Sequence, residues 1–140
     1  MWVFYAFLSA IFAAGVAITG KLGLKTLDST LATTIRSFIM AAFLFLVSLS
    51  LHKFKGFNFN NLAGKDWLLI VLAGIFGALS WIFYFFALKN GSATSVVAID
   101  RLSLAFVFLL SLAFLGEAFS FRSLAGVVLM VGGAILLSWK

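Results

Sequence analysis

Apolar residues run along this chain in five long blocks, and the length of the blocks decides what they are. In order they cover residues 2–20, 30–51, 67–88, 94–115 and 121–139. A helix needs about 20 residues to cross the roughly 30 Å hydrocarbon core of a bilayer. None of the blocks alternates over about ten residues as a barrel strand does. In hydrocarbon an isolated segment satisfies its backbone amides only as a helix. The pattern predicts an all-α membrane protein of five transmembrane helices, forming a single transmembrane domain over residues 1–140. The first block is expected to be a retained span, because Met1-Trp2-Val3-Phe4 offers no basic n-region and further apolar blocks follow.

The polar interruptions have the chemistry of helix ends. Lys21 and Lys25 close the first block, and Asp28-Ser29-Thr30 offers side-chain oxygens to cap the second. His52, Lys53 and Lys55 close that helix. The segment 56–65 is the longest polar stretch, and its Phe57, Phe59 and Leu62 suggest that it lies on the membrane interface. Trp67 anchors the third block at its mouth. Lys89-Asn90-Gly91-Ser92 is a tight turn, with Asn-Gly as its signal. Gly116-Glu117 ends the fourth block, and Phe119-Ser120-Phe121-Arg122 leads into the fifth.

Two features of the blocks bear on packing. The chain has no proline, so no helix is kinked by that route and any bend has to come from glycine or serine. Small residues four apart, Ala10/Ala14 and Ala13/Ala17 on the first block and Ala73/Gly77 and Gly74/Ala78 on the third, allow close approach of helices. Gly126 and Gly133 share one stripe of the fifth. Packing within one subunit and a subunit interface are both open, the latter best for the fifth block.

Composition agrees with a membrane setting: 64% of residues are hydrophobic, 10% are charged, and the mean hydropathy is +1.22. A soluble domain carries roughly 25% charged residues, so lipid has to cover the surplus apolar surface. With no cysteine and one histidine, His52, the sequence excludes disulfides, thiol catalysis and thiolate or imidazole metal sites. No metal and no cofactor is expected. The formal charge of +6 does not indicate nucleic acid, because the lysines sit singly or in pairs at the block ends.

An odd number of spans puts the termini on opposite sides. One side holds Lys21, Lys25, Lys89 and Lys140; the other holds Lys53, Lys55, Lys65 and Arg122. Since the Lys/Arg bias sets orientation, this balance leaves orientation weakly specified. Counting Arg36 and Arg101 would tilt it towards the first side as cytoplasmic. An odd-span unit with balanced charge has the form of one inverted-repeat half, two copies of which enclose a cavity near the midplane.

Three ionisable residues fall inside blocks, where such groups are costly and become functional candidates. Arg36 lies roughly 10 Å along its helix from Ser29, and Asp100 roughly 12 Å from Ser92. Both helices enter from the same side, so Asp100 can pair with Arg36 or with the partner subunit's Arg101. Asp100 and Arg101 project about 100° apart and do not face one cavity squarely together. Arg36 has the alternative of snorkelling to the interface, and the Asp100–Arg101 region that of a structural ion pair. Asp100 is the one acid deep in any block; such a group exchanges a proton for a cationic substrate or binds its charge directly. Ser103, on the same face, is placed to assist. Trp81 and Tyr84 share a face of the third block and can stack a flat or cationic substrate, or simply pack. Lys21 and Glu117 read as helix-end charges, Glu117 near Arg122. No catalytic constellation stands out: the serines lack a base, and paired carboxylates are missing from the blocks.

Phe83-Tyr84-Phe85-Phe86-Ala87-Leu88, Gly91-Ser92-Ala93, Phe114-Leu115-Gly116-Glu117 and the Gly126…Gly132-Gly133 stripe resemble the EamA-like domain of the drug/metabolite transporter superfamily. The stretches from Ala32 to Arg36 and from Ile99 to Ser103 are similar to those of its small single-domain members. The resemblance covers essentially the whole chain. It implies half of a ten-helix transporter, a plasma (cell inner) membrane location, a small metabolite or drug-like substrate, and a five-helix unit that works as a homodimer, antiparallel or otherwise paired. One departure is that relatives commonly carry a proline just before the Ile-Asp pair, where this chain has Ala98; with it goes the expected basis for a broken fourth helix. A non-transporting assembly partner of a larger complex is the alternative.

The charge balance generates a test. Tags on both termini, mapped by protease accessibility in membranes, should report both orientations, or one orientation fixed by a partner; a single orientation in the chain expressed alone removes dual insertion.

Overall fold

The computed structural model describes residues 1–58 and 62–139; Phe59, Asn60, Asn61 and Lys140 lie outside the described residues. The interfacial reading of Phe59 and the place of Lys140 in the charge count therefore fall outside them too. The helices are α1 (Trp2–Gly23), α2 (Ser29–Ser50), α3 (Gly64–Asn90), α4 (Ala93–Asp100), α5 (Ser103–Leu110) and α6 (Phe121–Ser138). A π-helical turn, Ser111–Leu115, extends α5. Among the described residues five helical stretches, counting Ala93–Leu115 as one, are long and apolar enough to cross a membrane. The protein is an all-helical, multi-pass membrane protein.

The helix ends follow from local chemistry. Asp28 caps α2, its carboxylate accepting from the N–H groups of Thr30 at 2.9 Å and Leu31 at 3.1 Å. These are orphan donors with no partner inside the helix. At the other end His52 takes a left-handed backbone, φ 54°, and the Lys53 N–H reaches back to the Ser48 carbonyl at 3.0 Å. That closes the helix as a glycine would, with a histidine at the strained position. Ser92 caps α4 by accepting from the Ser95 N–H at 3.1 Å, and Gly116, φ 66° and ψ 24°, ends the fourth span in the left-handed region. α1 runs to Gly23, beyond the expected end at residue 20, and α3 runs from Gly64 to Asn90, beyond residues 67–88 at both ends. A helix once nucleated adds flanking residues at little further cost, even ones of modest propensity.

The fourth span departs from the sequence reading. Without proline or glycine nearby it is nonetheless interrupted directly after Asp100. Arg101 (ψ −11°) and Leu102 (ψ −19°) have the flattened ψ of a 3₁₀ turn. The bonds Leu102→Ile99, Leu104→Arg101 and Ala105→Leu102, at 2.9, 3.1 and 2.9 Å, all span three residues. α4 runs close along α6, with Val96, Ala98 and Ala134 buried, whereas α5 buries no residue. The span thus packs closely on α6 over its first half and more loosely over its second.

The chain forms two compact units. One comprises Met1–Lys21 together with the described residues from Asn90 onward; the other is Leu22–Lys89. In the first, Ala17, Val96, Ala98, Ser111 and Ala134 are buried; in the second, Leu24, Ser29, Thr33, Phe85 and Leu88. Apolar side chains elsewhere are largely exposed, Phe38, Phe83 and Leu129 among them, as lipid contact requires. An added methyl group at Gly74, Gly77, Gly126, Gly132 or Gly133 would meet no atom within 4 Å. Among the described residues those glycines therefore do not mark close helix contacts within their own units, whereas Ala17 of α1 is buried in its unit.

The Asp28 cap carries a pH signature. The Leu31 N–H, then the Thr30 N–H and the nearby Lys89 charge, hold its carboxyl below the usual carboxylate range against a smaller desolvation effect. A group lowered in the folded state contributes stability above its unfolded value, near ~3.9, and loses it as the pH falls through the folded one. Asp28→Ala should lower the thermal midpoint in detergent at pH 7, with the difference from the native chain closing below about pH 4. Circular dichroism melts at both pH values check it; a difference that persists in acid contradicts the carboxylate cap.

Candidate functional site

Two groups of the candidate residues fall in different units, each with its own geometry. In the Leu22–Lys89 unit the capped start of α2 sets the register that places Arg36 two turns inside the helix. On α3, Trp81, Phe85 and Leu88 recur at positions i, i+4 and i+7 and share one face, with Tyr84 alongside. The Arg36 guanidinium lies over Trp81, its central carbon 3.5 Å from the ring centroid, and 5.3 Å from that of Phe85. The three rings hold one another: Trp81 meets Tyr84 edge-on at 5.4 Å, and Phe85 lies 5.8 Å from Trp81 and 6.0 Å from Tyr84.

One face of Trp81 is therefore occupied. It is covered by an internal cation, so a substrate does not stack on it there without displacing Arg36. Nor does the guanidinium turn towards the end of its helix. It sits over a residue nine positions inside the end of α3 at Asn90. Nη2 donates to the Met40 sulfur at 3.2 Å, a weak acceptor. Nη1 is buried and has no hydrogen-bond partner.

A groove of about 310 Å³ lies on the neighbouring stripe of α2 and α3, lined by Thr33, Thr34, Ser37, Phe38, Ala78 and Ile82, with Ala41; Arg36 and Trp81 do not line it. Its three hydroxyls donate to carbonyls of their own helix: Thr33 to Ser29 at 2.8 Å, Thr34 to Thr30 at 2.9 Å and Ser37 to Thr33 at 2.8 Å. Their oxygens are left as acceptors along an otherwise apolar wall.

In the other unit Asp100 and Arg101 stand at the interruption of the fourth span, both exposed, and Ser103 opens α5. Within this unit the Asp100 carboxylate has no hydrogen-bond or ion-pair partner among the described residues, Ser103 and Arg101 included. Arg101 lines a cavity of about 370 Å³ with Ala14, Ala17, Thr94, Ala98 and other residues of α1, α4 and α6. Lys21 donates from Nζ to the Gly91 carbonyl at 2.8 Å, tying the end of α1 to the turn before α4. The Ser95 hydroxyl reaches the Leu137 carbonyl at 3.2 Å and fastens α4 to the end of α6. Glu117, just beyond the Gly116 turn, borders a third cavity of about 400 Å³ with Ser111, Ser123 and Gly126. No ion pair joins it to Arg122 among the described residues.

Phe85 and Met40 complete the Arg36 cluster without having stood out in the sequence. The signal was there in the spacing, Phe85 four residues after Trp81 and Met40 four after Arg36. Among the described residues no three His, Cys, Asp or Glu side chains stand together to hold a metal ion.

Comparison with known proteins gives a consistent answer. The profile of the EamA-like transporter family matches residues 1–139. The chain is 34% identical over 137 residues, 98% of its length and 96% of the relative's, to a Sinorhizobium sp protein described as an uncharacterized transporter in the cobO 3′ region. No solved structure matches.

Proposed function

The chain belongs to the EamA-like transporter family, and from that premise we propose that it moves a small metabolite or drug-like molecule across the plasma (cell inner) membrane as a homodimer, with Asp100 as the coupling or substrate-binding acid. By family it is a membrane transporter, which favours transport over catalysis. The single observation that supports the finer reading is Asp100 itself. Of the four acidic residues, Asp28 caps α2, Asp66 lies in the first turn of α3 and accepts from the Ala63 N–H at 3.2 Å, and Glu117 follows the last turn of the fourth span. Asp100 alone is deep in a span, about 11 Å from the start of α4, with its carboxylate uncommitted in its unit.

Its position gives the chemistry a mechanical setting. A 3₁₀ segment inside a span often marks a hinge, and Asp100 is the last residue before one. Protonation or cation binding changes the charge of the group that terminates α4, so it changes the cost of exposing that hinge to lipid or to a cavity. Alternating access by such a step couples a proton or a cationic substrate to the movement of α5 relative to α4.

The dimer has independent support. The open faces of Gly126, Gly132 and Gly133 lie on one helix and leave room for close approach of another. A five-span unit with balanced flanking charge suits an antiparallel pair.

Two measurements test this reading. Asp100→Asn in proteoliposomes should abolish proton-coupled flux at unchanged expression and fold; unchanged flux rejects the coupling role. Gly126→Leu together with Gly133→Leu should leave the helical circular dichroism signal intact while reducing crosslinked dimer; undiminished crosslinking moves the interface off α6.

A further inference from the structure

Resting on the transporter reading above, we propose that Arg36, held on Trp81, is the receptor for an oxyanion on the transported molecule, so that the substrate class is a small organic acid with a flat or apolar body. The geometry around the guanidinium carries the proposal. An aromatic ring under the face of a guanidinium stabilises its charge but leaves its N–H donors untouched, because they project from the edges in the plane. One of those donors meets the Met40 sulfur at 3.2 Å, and Nη1 is buried without a partner. A buried charged donor left unpaired is costly, and a planar fork of N–H groups matches a carboxylate or phosphate. The carboxylates of this unit are engaged elsewhere, Asp28 on the N–H groups of Thr30 and Leu31 and Asp66 on that of Ala63.

The groove beside the cluster supplies room for the rest of the molecule. Thr33 and Ser37 lie three before and one after Arg36, and Ala78 and Ile82 three before and one after Trp81, so the groove follows the adjacent stripe of both helices. Its volume of about 310 Å³ reaches the lower end of small-molecule sites. Because its hydroxyls spend their donors on helix carbonyls, the groove offers no competing site for an anion. The headgroup goes to Arg36 and the apolar body to Phe38, Ala41, Ala78 and Ile82.

A lipid headgroup carries the same oxyanion chemistry. The placement disfavours it: the guanidinium is over Trp81, nine residues inside the end of α3, and not drawn out to the helix end. A soluble acid entering the groove is the occupant proposed.

Trp81 makes the test direct, since Trp2, Trp67 and Trp139 all lie at helix ends. The full chain in phosphatidylcholine nanodiscs is titrated with benzoate, hexanoate and phenyl phosphate, with benzyl alcohol and benzylamine as neutral and cationic controls. Tryptophan emission should change saturably with at least one anion and with neither control. Arg36→Gln should weaken that binding at least about tenfold, as loss of a charge-assisted pair implies. Arg36→Lys, which keeps the charge and guards against misfolding, should weaken it severalfold, because the planar fork is gone. No response to any anion, an equal response to benzyl alcohol, or an Arg36→Lys chain that titrates like the native one overturns the proposal. So does a signal that appears on replacing phosphatidylcholine with phosphatidylglycerol and blocks the response to soluble anions, which assigns the site to lipid. A native chain that transports yet ignores the anions overturns this inference alone, while anion binding with no effect of Asp100→Asn on flux overturns the coupling role alone.

Discussion

Backbone amides in hydrocarbon have no water to fall back on, and the whole architecture answers to that constraint. Each apolar block becomes a helix because only a helix pairs its own N–H and C=O groups. The ends, where four donors or four acceptors are orphaned, are where polar side chains appear. Asp28, Ser92, His52 and Gly116 each close such an end by a different route. Lys21 and Lys89 serve the connectors, donating to the carbonyls of Gly91 and Leu27 at 2.8 and 3.3 Å. The polar residues of this protein are few, and many of them are fully explained by the bookkeeping of backbone hydrogen bonds.

What that bookkeeping leaves over is informative. Asp100 and Arg36 are neither caps nor anchors. One sits where the fourth span tightens, the other lies on an aromatic cluster with a donor to spare. Both are charges held in segments otherwise built to exclude charge, and each has a defined local cause for being held. The 3₁₀ turn gives Asp100 its position, and the Trp81 ring gives Arg36 its orientation.

The spans themselves were legible in the sequence, since block length and uniform hydrophobicity have few other solutions. So were the Asp28 cap and the Gly116 stop, which depend on residues adjacent in the chain. The interruption at Arg101 and Leu102 was not legible. Nothing in Val97-Ala98-Ile99-Asp100-Arg101-Leu102 breaks a helix by its own preference, and the tightening falls where close packing on α6 gives way to looser packing. The meeting of Arg36 with Trp81 was equally hidden: each residue stood out alone, but their contact depends on the relative rotation of α2 and α3, which no local pattern gives. Glycine spacing misled where it suggested close contact within the chain, because a small residue permits approach without requiring it.

The π-helical turn at Ser111–Leu115 has one consequence of its own. Such a turn holds one residue more than the α-helical ladder around it, so the chain emerges rotated by about 100° relative to an unbroken α-helix. The chain then turns at Gly116, and Glu117 beyond it borders the cavity shared with Ser123 and Gly126. Loss of any single residue between 111 and 115 would restore the regular ladder and swing the acidic group to another side of the helix. The placement of Glu117 is thus stored in the count of residues, and not in the identity of any one of them.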